Sequence, residues 1–410
     1  MNRYTILLLS LLLWGAFATT KTVASSSTTS SSHDRSAKLR TRSTSSNVIT
    51  TVAGYKVNWG GSEMDGIIAT GKKLSSPQGI AFDKERNFYI ATSDDNKIYK
   101  VTASSGIITT VAGTGDGSYG GDGGQATSAM LYGPKGVTPD TTGDIFIADT
   151  LNHRIRKVTM STGLITTVAG DGNKDITKDN IAATSTSLNS PTDVAVDPSG
   201  NMFIADTDNG RIRKVTASTG IITTIAGSGN PYDAFEDRSA IATKYYLQEP
   251  TGVTLDTAGN VYIAGGLFDP SIFKITVSTG NISVVAGTGP YLTGTVGYNG
   301  DDILATAANL YYPTKVVFDA SGNMYISDSG NHRIRKVTES TGMITTVAGT
   351  GAVTSLGFSS NGEFGLATAA SIYTPSGIAV DTAGDLYFAD ANYNVVRKVT
   401  YTGATPRCTT

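Results

Sequence analysis

Short stretches in which apolar and polar residues alternate recur along most of the chain, and turn-forming residues separate them. Residues 136–170 show the pattern: GVTPD, IFIAD, RIRKV and LITTVAG follow one another, divided by a turn at Gly143, a bend at Asn152 and a turn at Gly163. Such alternation is typical of half-buried β-strands, and Gly and Asn accept the backbone angles of tight turns. The segment therefore predicts four short antiparallel strands.

The same four-strand unit occurs six times. Each copy begins at a proline, and consecutive prolines are 57 to 63 residues apart. Four antiparallel strands repeated around an axis are the sequence signature of a β-propeller, in which each unit is one blade. The predicted fold class is all-β, a six-bladed β-propeller of four-stranded antiparallel blades. The six prolines, in the order of blades one to six, are Pro77, Pro134, Pro191, Pro250, Pro313 and Pro375.

The sixth copy is incomplete, and its missing strand stands at the other end of the repeats. This copy ends in KVTYTGATPRCTT without the ITTVAG that closes other units, whereas NVITTVAG, residues 47–54, precedes the first full unit. We expect strand 47–54 to complete blade six. Pairing of the two ends would close the ring and leave no open sheet edge.

The repeated strings carry a family resemblance. NHRIRKV, GNMYISDSGNHRIRKV and the connection VAGTGDGSYGGDGGQATSAMLYGPKGVTPD resemble NHL repeats of the secreted, teneurin-like kind. The resemblance covers residues 47–403 and implies a six-bladed propeller there. It implies little about function, because NHL propellers serve as enzymes, as RNA-binding proteins and as protein-binding scaffolds.

The segments outside the repeats indicate a compartment. Residues 1–18 combine a basic residue, a short apolar core and small residues at the end, which predicts a secretory signal peptide; a membrane anchor is the alternative. Residues 19–46 are rich in Ser and Thr and predict a disordered linker, and residues 404–410 form a C-terminal tail. We therefore predict a secreted, extracellular protein without stable membrane insertion after cleavage. Asn281 in Asn-Ile-Ser is a glycosylation site on this view.

The charge balance excludes one class of partner. The net charge is −2, and charged residues make up only 16% of the chain. A protein that binds phosphate backbones needs a strongly basic surface. We expect no nucleic-acid partner.

A charged pair recurs in four of the six blades. Blades two, three, five and six have an Asp at the end of the second strand and an Arg in the third strand. Blades one and four have neither, with Thr92 and Tyr99 in one and Gly265 and Phe273 in the other. Joint presence and joint loss predict an Asp–Arg contact inside each blade. The predicted structural pairs are Asp149–Arg156, Asp206–Arg213, Asp328–Arg335 and Asp390–Arg397.

The histidines do not predict a metal site. His153 and His332 occupy equivalent positions in blades two and five, on opposite sides of the ring. Strand spacing separates them by on the order of 20 Å, whereas a zinc ion holds its nitrogen ligands at about 2.1 Å. We expect no cofactor. Calcium bound by the Gly-rich turn 115–124 is the alternative.

Two sets of residues are candidates for ligand binding. The connections from an outermost strand to the next blade are long and unlike one another, and aromatic rings in them suit contact with protein or glycan. The rings chosen from this set are Trp59, Tyr119, Tyr232 and Tyr298. The alternative is that rings in these connections fill gaps between blades. A second set is expected around the mouth of the axial channel, where the innermost strands begin. These residues are Gln78, Lys135, Asp193 and Lys315.

The sequence favours a binding function over catalysis. We predict a non-enzymatic binding or adhesion scaffold that recognises an extracellular protein or glycan through the face that carries the long connections. The alternative is a lactonase-like hydrolase or lyase that uses Asp193 and Lys315 at the mouth, with calcium as its ion. No GxSxG motif or spaced set of nucleophile, base and orienting acid supports that alternative.

Overall fold

The strands of the computed structural model form six antiparallel sheets, each a blade of a propeller. This arrangement confirms the predicted all-β, six-bladed fold. The structure describes residues 46–55, 61–174, 178–229, 240–289, 297–353 and 362–402.

Each blade has four strands that follow one another outward from the axis, because each strand pairs with the next one along the repeat. The innermost strands are Pro77–Phe82, Gly136–Pro139, Pro191–Val196, Gly252–Leu255, Pro313–Phe318 and Pro375–Val380. The second strands are Phe88–Thr92, Ile145–Asp149, Met202–Asp206, Val261–Ala264, Met324–Asp328 and Leu386–Asp390. The third strands are Lys97–Val101, Arg154–Thr159, Arg211–Thr216, Ile272–Thr276, Arg333–Val337 and Val395–Thr402. The outermost strands are Ile107–Ala112, Leu164–Ala169, Ile221–Ala226, Asn281–Ala286, Met343–Ala348 and, for blade six, Ser46–Ala53.

Blade six joins two distant parts of the chain. Its outermost strand, Ser46–Ala53, pairs antiparallel with Val395–Thr402. Ile49 of this strand is fully buried and packs in one cluster with Phe388 and Val399. The predicted closure is confirmed, and the strand begins one residue earlier than expected.

Short elements in the connections tie each blade to the next. Three connections add a two-residue strand outside the outermost strand, at Ile67–Ile68, Ile181–Ala182 and Ile303–Leu304. Each connection contains a 3-10 turn that begins with a buried alanine followed by threonine. These turns are Ala69–Gly71, Ala126–Ser128, Ala183–Ser185, Ala242–Lys244, Ala305–Ala307 and Ala367–Ala369. Further 3-10 turns lie in the bends between second and third strands, at Thr150–Asn152, Thr207–Asn209, Ser329–Asn331 and Ala391–Tyr393.

The core lies between the blades. The carbonyl of the first alanine in each connection accepts the backbone N–H of the glycine that ends the preceding blade, as in Gly113 N to Ala126 O at 3.0 Å. Six apolar clusters each combine residues of two neighbouring blades. An apolar residue shortly before each proline is 3% exposed or less, which seals the seam. These residues are Leu74, Leu131, Leu188, Leu247, Leu310 and Ile372.

Several predicted segments lie outside the described residues. They are the signal peptide (1–18), the linker (19–46) apart from Ser46, and the tail (404–410). Over the ranges that are described, no helix is both long enough and apolar enough to cross a bilayer.

Candidate functional site at the mouth of the axial channel

The predicted Asp and Arg side chains meet inside the blades. Arg156 Nη1 lies 3.2 Å from Asp149 Oδ2, and both side chains are fully buried. Arg156 Nη2 also lies 2.7 Å from Asp122 Oδ1 in the connection that leads into the blade. Each such arginine therefore fixes a connection to its own blade. The corresponding distances are 3.6 Å for Arg213–Asp206, 3.4 Å for Arg335–Asp328 and 3.5 Å for Arg397–Asp390.

Blades one and four replace the pair by another buried contact, which sequence reasoning missed. Lys72 is 1% exposed, its Nζ lies 4.8 Å from the ring centroid of Tyr99, and it pairs with Asp65 at 3.0 Å. Tyr245 packs edge-on against Phe273, with centroids 5.4 Å apart. Lys72 and Tyr245 stand three residues after the alanine of the connection. The other blades have small residues there, and this difference was the available signal: Ala129, Thr186, Ala308 and Ala370.

The repeated histidine joins neighbouring blades. His153 lies in the left-handed region, with φ of 55°, and its Nδ1 accepts the backbone N–H of Ser190 at 2.9 Å. His332 makes the same bond to Thr374 at 3.2 Å. A ring nitrogen that accepts a hydrogen bond is unprotonated, and burial lowers the pKa of both histidines. Asparagine oxygens take this role in two other blades, at 2.8 Å in each case: Asn96 to Gly133 and Asn394 to Ser76.

The predicted aromatic rings belong partly to the repeated framework. Tyr119 lies against the guanidinium of Arg154, 3.7 Å from the ring centroid, and Tyr298 lies against Arg333 at 3.8 Å. About 40% of each tyrosine remains exposed. These two rings occupy equivalent positions on opposite blades, so they do not converge on one site. Trp59 and Tyr232 lie outside the described residues.

The four residues predicted at the mouth line one cavity. It encloses about 360 Å³ where the innermost strands begin. The lining also includes Tyr312, Ser329 and Asn392, which lie at the end of a connection and in two bends and were not predicted. The signal for Tyr312 is its place before Pro313, where four other blades carry small residues. The predicted members that line this cavity are Gln78, Lys135, Asp193 and Lys315.

A chain of hydroxyl groups runs around the wall of the mouth. In blades three to six, the residue that follows the proline at the start of the blade is Thr or Ser. Its hydroxyl donates to a backbone carbonyl of the next blade. Blades one and two have Gln78 and Lys135 at this position instead. The observed bonds are Thr192 to Thr251 O at 2.9 Å, Thr251 to Pro313 O at 2.9 Å, Thr314 to Ser376 O at 3.1 Å and Ser376 to Gln78 O at 3.0 Å.

Asp193 and Lys315 form an ion pair across three blades. Asp193 Oδ2 accepts hydrogen bonds from Lys315 Nζ and from the backbone N–H of Val253 at 2.8 Å. Lys315 Nζ also donates to the carbonyl of Val253 at 3.1 Å. The two charges neutralise each other, and the bonds hold blades three and five to the backbone of blade four. Asp193 is only 5% exposed, and these bonds engage its carboxylate within the protein.

Lys135 differs from the other cation at the mouth. Across the part of the chain that the structure describes, its Nζ has no hydrogen-bond or ion-pair partner. Solvent reaches the side chain through the mouth. Desolvation by the surrounding protein nevertheless lowers the pKa of Lys135, while the negative charge of Asp208 acts to raise it. Lys135 is therefore the ammonium group that is available to a ligand.

The described residues do not assemble a metal cluster. Within those ranges no three His, Cys, Asp or Glu side chains lie close enough together to hold an ion. In the Gly-rich turn 115–124, Asp122 Oδ2 accepts the Tyr119 hydroxyl at 3.0 Å, while its other oxygen faces Arg156. That carboxylate is thus engaged within the protein.

Family models match parts of the chain. The model described as the teneurin NHL domain matches residues 114–180, and the NHL repeat model matches residues 188–215 and 310–337. The curated protein SUPPRESSOR OF QUENCHING 1, chloroplastic, of Arabidopsis thaliana is 28% identical over 332 residues, 80% of this chain and 30% of that protein. Teneurin-3 of Danio rerio is 31% identical over 287 residues, 61% of this chain and 10% of that protein. NHL repeat-containing protein 2 of Homo sapiens is 27% identical over 306 residues, 68% and 41% of the two chains. The chain spans less than half the length of these relatives.

Solved structures share the fold. An auxiliary nutrient binding protein from Bacteroides thetaiotaomicron has a TM-score of 0.62 at 16% identity, covering 87% of this chain and 77% of that one. A gluconolactonase from Xanthomonas campestris has a TM-score of 0.53 at 10% identity, covering 86% and 89%. At such identities the likeness concerns the propeller alone.

Proposed function

Because this chain belongs to the NHL-repeat β-propellers, we propose that it is a secreted binding module. It holds an extracellular protein or glycan on the face that carries the axial mouth and the long connections. One observation carries the proposal: the charged residues that repeat from blade to blade bind one another, whereas the cavity at the mouth is lined by Lys135, whose ammonium group has no partner among the described residues. The charged group that the framework does not use therefore lies at this face, at Lys135.

Exposed apolar side chains near the mouth support a docking surface. Tyr132, Leu151, Phe268 and Tyr312 are 38% to 45% exposed. All four lie in bends between second and third strands or just before an innermost strand, and these segments share the face that carries the mouth. Aromatic groups next to polar ones are enriched where proteins meet ligands. Rigid strands beneath them keep the surface pre-organised.

A binding screen tests the function. The purified chain is tested against secreted proteins and an array of glycans, and the expected result is a ligand whose affinity falls at least about tenfold in Tyr132→Ala or Tyr312→Ala. The control is Ile68→Ala, since Ile68 is 57% exposed but lies in a short edge strand away from the mouth. Equal binding by the wild type and all variants would show that the ligand does not bind at this face. Recovery of the chain from culture medium tests secretion.

The lactonase-like alternative is less well supported. It requires Asp193 as a free carboxylate, and this group instead accepts bonds from Lys315 and Val253. A general acid or base must reach the substrate in a suitable protonation state. Turnover of a lactone that disappears in Asp193→Asn, with an unchanged melting temperature, would favour the enzyme.

A further inference from the structure

The wall of the mouth departs from the repeat at two adjacent blades. In blades three to six the hydroxyl of the residue after the proline donates a hydrogen bond to the next blade, which holds neighbouring blades together. Gln78 and Lys135 occupy this position in blades one and two. Gln78 Nε2 donates to Ser76 Oγ at 2.9 Å within its own blade, and Lys135 Nζ has no partner in the described part of the protein. These two long side chains extend into the cavity without closing the ring.

The cavity combines the ammonium group of Lys135, which has no partner among the described residues, with side-chain hydroxyls and amides. Its volume of about 360 Å³ lies within the range of small-molecule sites. Threonine and serine hydroxyls and the amides of Gln78 and Asn392 face it, and Tyr312 stands at the rim with 38% of its surface exposed. Amides and hydroxyls pair with sugar hydroxyls, and an aromatic ring packs against the C–H groups of a sugar. The ammonium group adds a preference for an anion.

Four other charged groups lie near Lys135 at the mouth. Asp193 and Lys315 neutralise each other. Asp208, in the bend of blade three, lies within electrostatic range of Lys135 and opposes an anionic ligand. Glu249, the residue before Pro250, acts together with Asp208 on Tyr312 at the rim. The margin of the mouth therefore has two carboxylates beside Lys135, the cation that solvent reaches.

We propose that the mouth binds an acidic sugar residue of a glycan, with the sugar carboxylate on Lys135 Nζ and sugar hydroxyls on Gln78 and Asn392. The proposal rests on the binding function stated above and narrows its ligand to a uronic-acid type. A carboxylate and an ammonium group form a charge-assisted hydrogen bond, which is stronger than the neutral bonds beside it. The charge therefore decides which glycan is chosen.

Calorimetric titration with a matched pair of sugars tests this. The probes are oligogalacturonate and its methyl ester, which differ in the carboxylate charge. We expect the purified full chain to bind the acid at least about tenfold more tightly than the ester, and Lys135→Met to weaken binding of the acid by about 10- to 100-fold. Asp208→Asn should strengthen binding of the acid. The control, Lys84→Met, removes an exposed ammonium at the opposite end of blade one and should leave binding unchanged.

The outcomes separate this inference from the proposed function. Equal affinity for acid and ester, or wild-type affinity in Lys135→Met with an unchanged melting temperature, would overturn the acidic-sugar site. If the screen then finds a neutral glycan or a protein bound at the same face, the binding function stands without it. If the chain binds nothing in either experiment, both are overturned.

Discussion

Replacement of His153 separates the bond between blades from the packing of the ring. Blade three carries Gly210 at the equivalent position, with φ of 59°, so His153→Gly removes the acceptor without straining the left-handed backbone. Asn96 makes the equivalent bond in blade one, so His153→Asn keeps an acceptor. These natural alternatives within one chain supply both the test and its control.

The loss expected for His153→Gly follows from the hydrogen bond to the half-buried N–H of Ser190. Loss of the acceptor leaves this donor without its partner, which costs about 1 to 2 kcal/mol of unfolding free energy. For a domain of about 350 residues, with an unfolding entropy near 2.1 cal/mol/K per residue, the melting temperature falls by roughly 1.5 to 3 °C. His153→Asn should lose less than half of that. Thermal unfolding at pH 7.5, followed by circular dichroism or calorimetry, measures both.

The pH dependence gives a second readout. Burial lowers the pKa of His153 below its unfolded value of about 6.5. Its stabilising contribution is therefore present above pH 6.5 and is lost as the pH falls through the folded value, because protonation removes the acceptor. The stability difference between the wild type and His153→Asn should shrink or reverse between pH 7 and pH 5. A difference that stays constant over this range, or an Asn variant as unstable as the Gly variant, would refute the role of Nδ1.

Three other changes test the framework. Deletion of residues 46–53 should lower the melting temperature by more than about 3 °C, since burial of Ile49 alone contributes about 2 kcal/mol; an unchanged melt would contradict the ring closure. Arg156→Met should cost about 3 to 5 kcal/mol in chemical denaturation, because it leaves the buried Asp149 without its cation; a loss below 1 kcal/mol would show that the pair contributes little. Asp193→Ala should lower the melting temperature in the absence of any ligand, because Lys315 loses its counter-charge. A variant as stable as the wild type would show that the fold does not depend on Asp193.

The sequence predicted features that repeat in register and missed contacts that cross between blades. Joint presence of Asp149 and Arg156 was visible because four blades share it and two lose both members. The bond from His153 to Ser190 was not visible, because it depends on a left-handed bend and on how one blade sits against the next. Lys72 stands where four other blades have a small residue, and this difference was visible in the sequence. Its contact with Tyr99 was not visible, because that contact depends on the position of the third strand.

The location of the mouth was predicted, but the pairing of its charged residues was not. Innermost strands of a propeller converge, so residues that begin them must surround the axis, and the cavity contains all four that were predicted. Pairing of Asp193 with Lys315 joins residues 122 positions apart on non-adjacent blades. Spacing along a chain does not fix such a distance, because it depends on the twist and tilt of each sheet. The structure therefore distinguishes Lys315, which pairs with Asp193, from Lys135, which can bind a ligand.

Pairing of strand 46–53 with strand 395–402 also sets the order of events during synthesis. Thr51 lies opposite Arg397, so 346 residues separate the partners. At about 5 to 20 residues per second, a ribosome needs roughly 20 to 70 s to make that length of chain. Throughout this interval the first strand has been made but its partner has not, so the ring can close only after five blades have been completed.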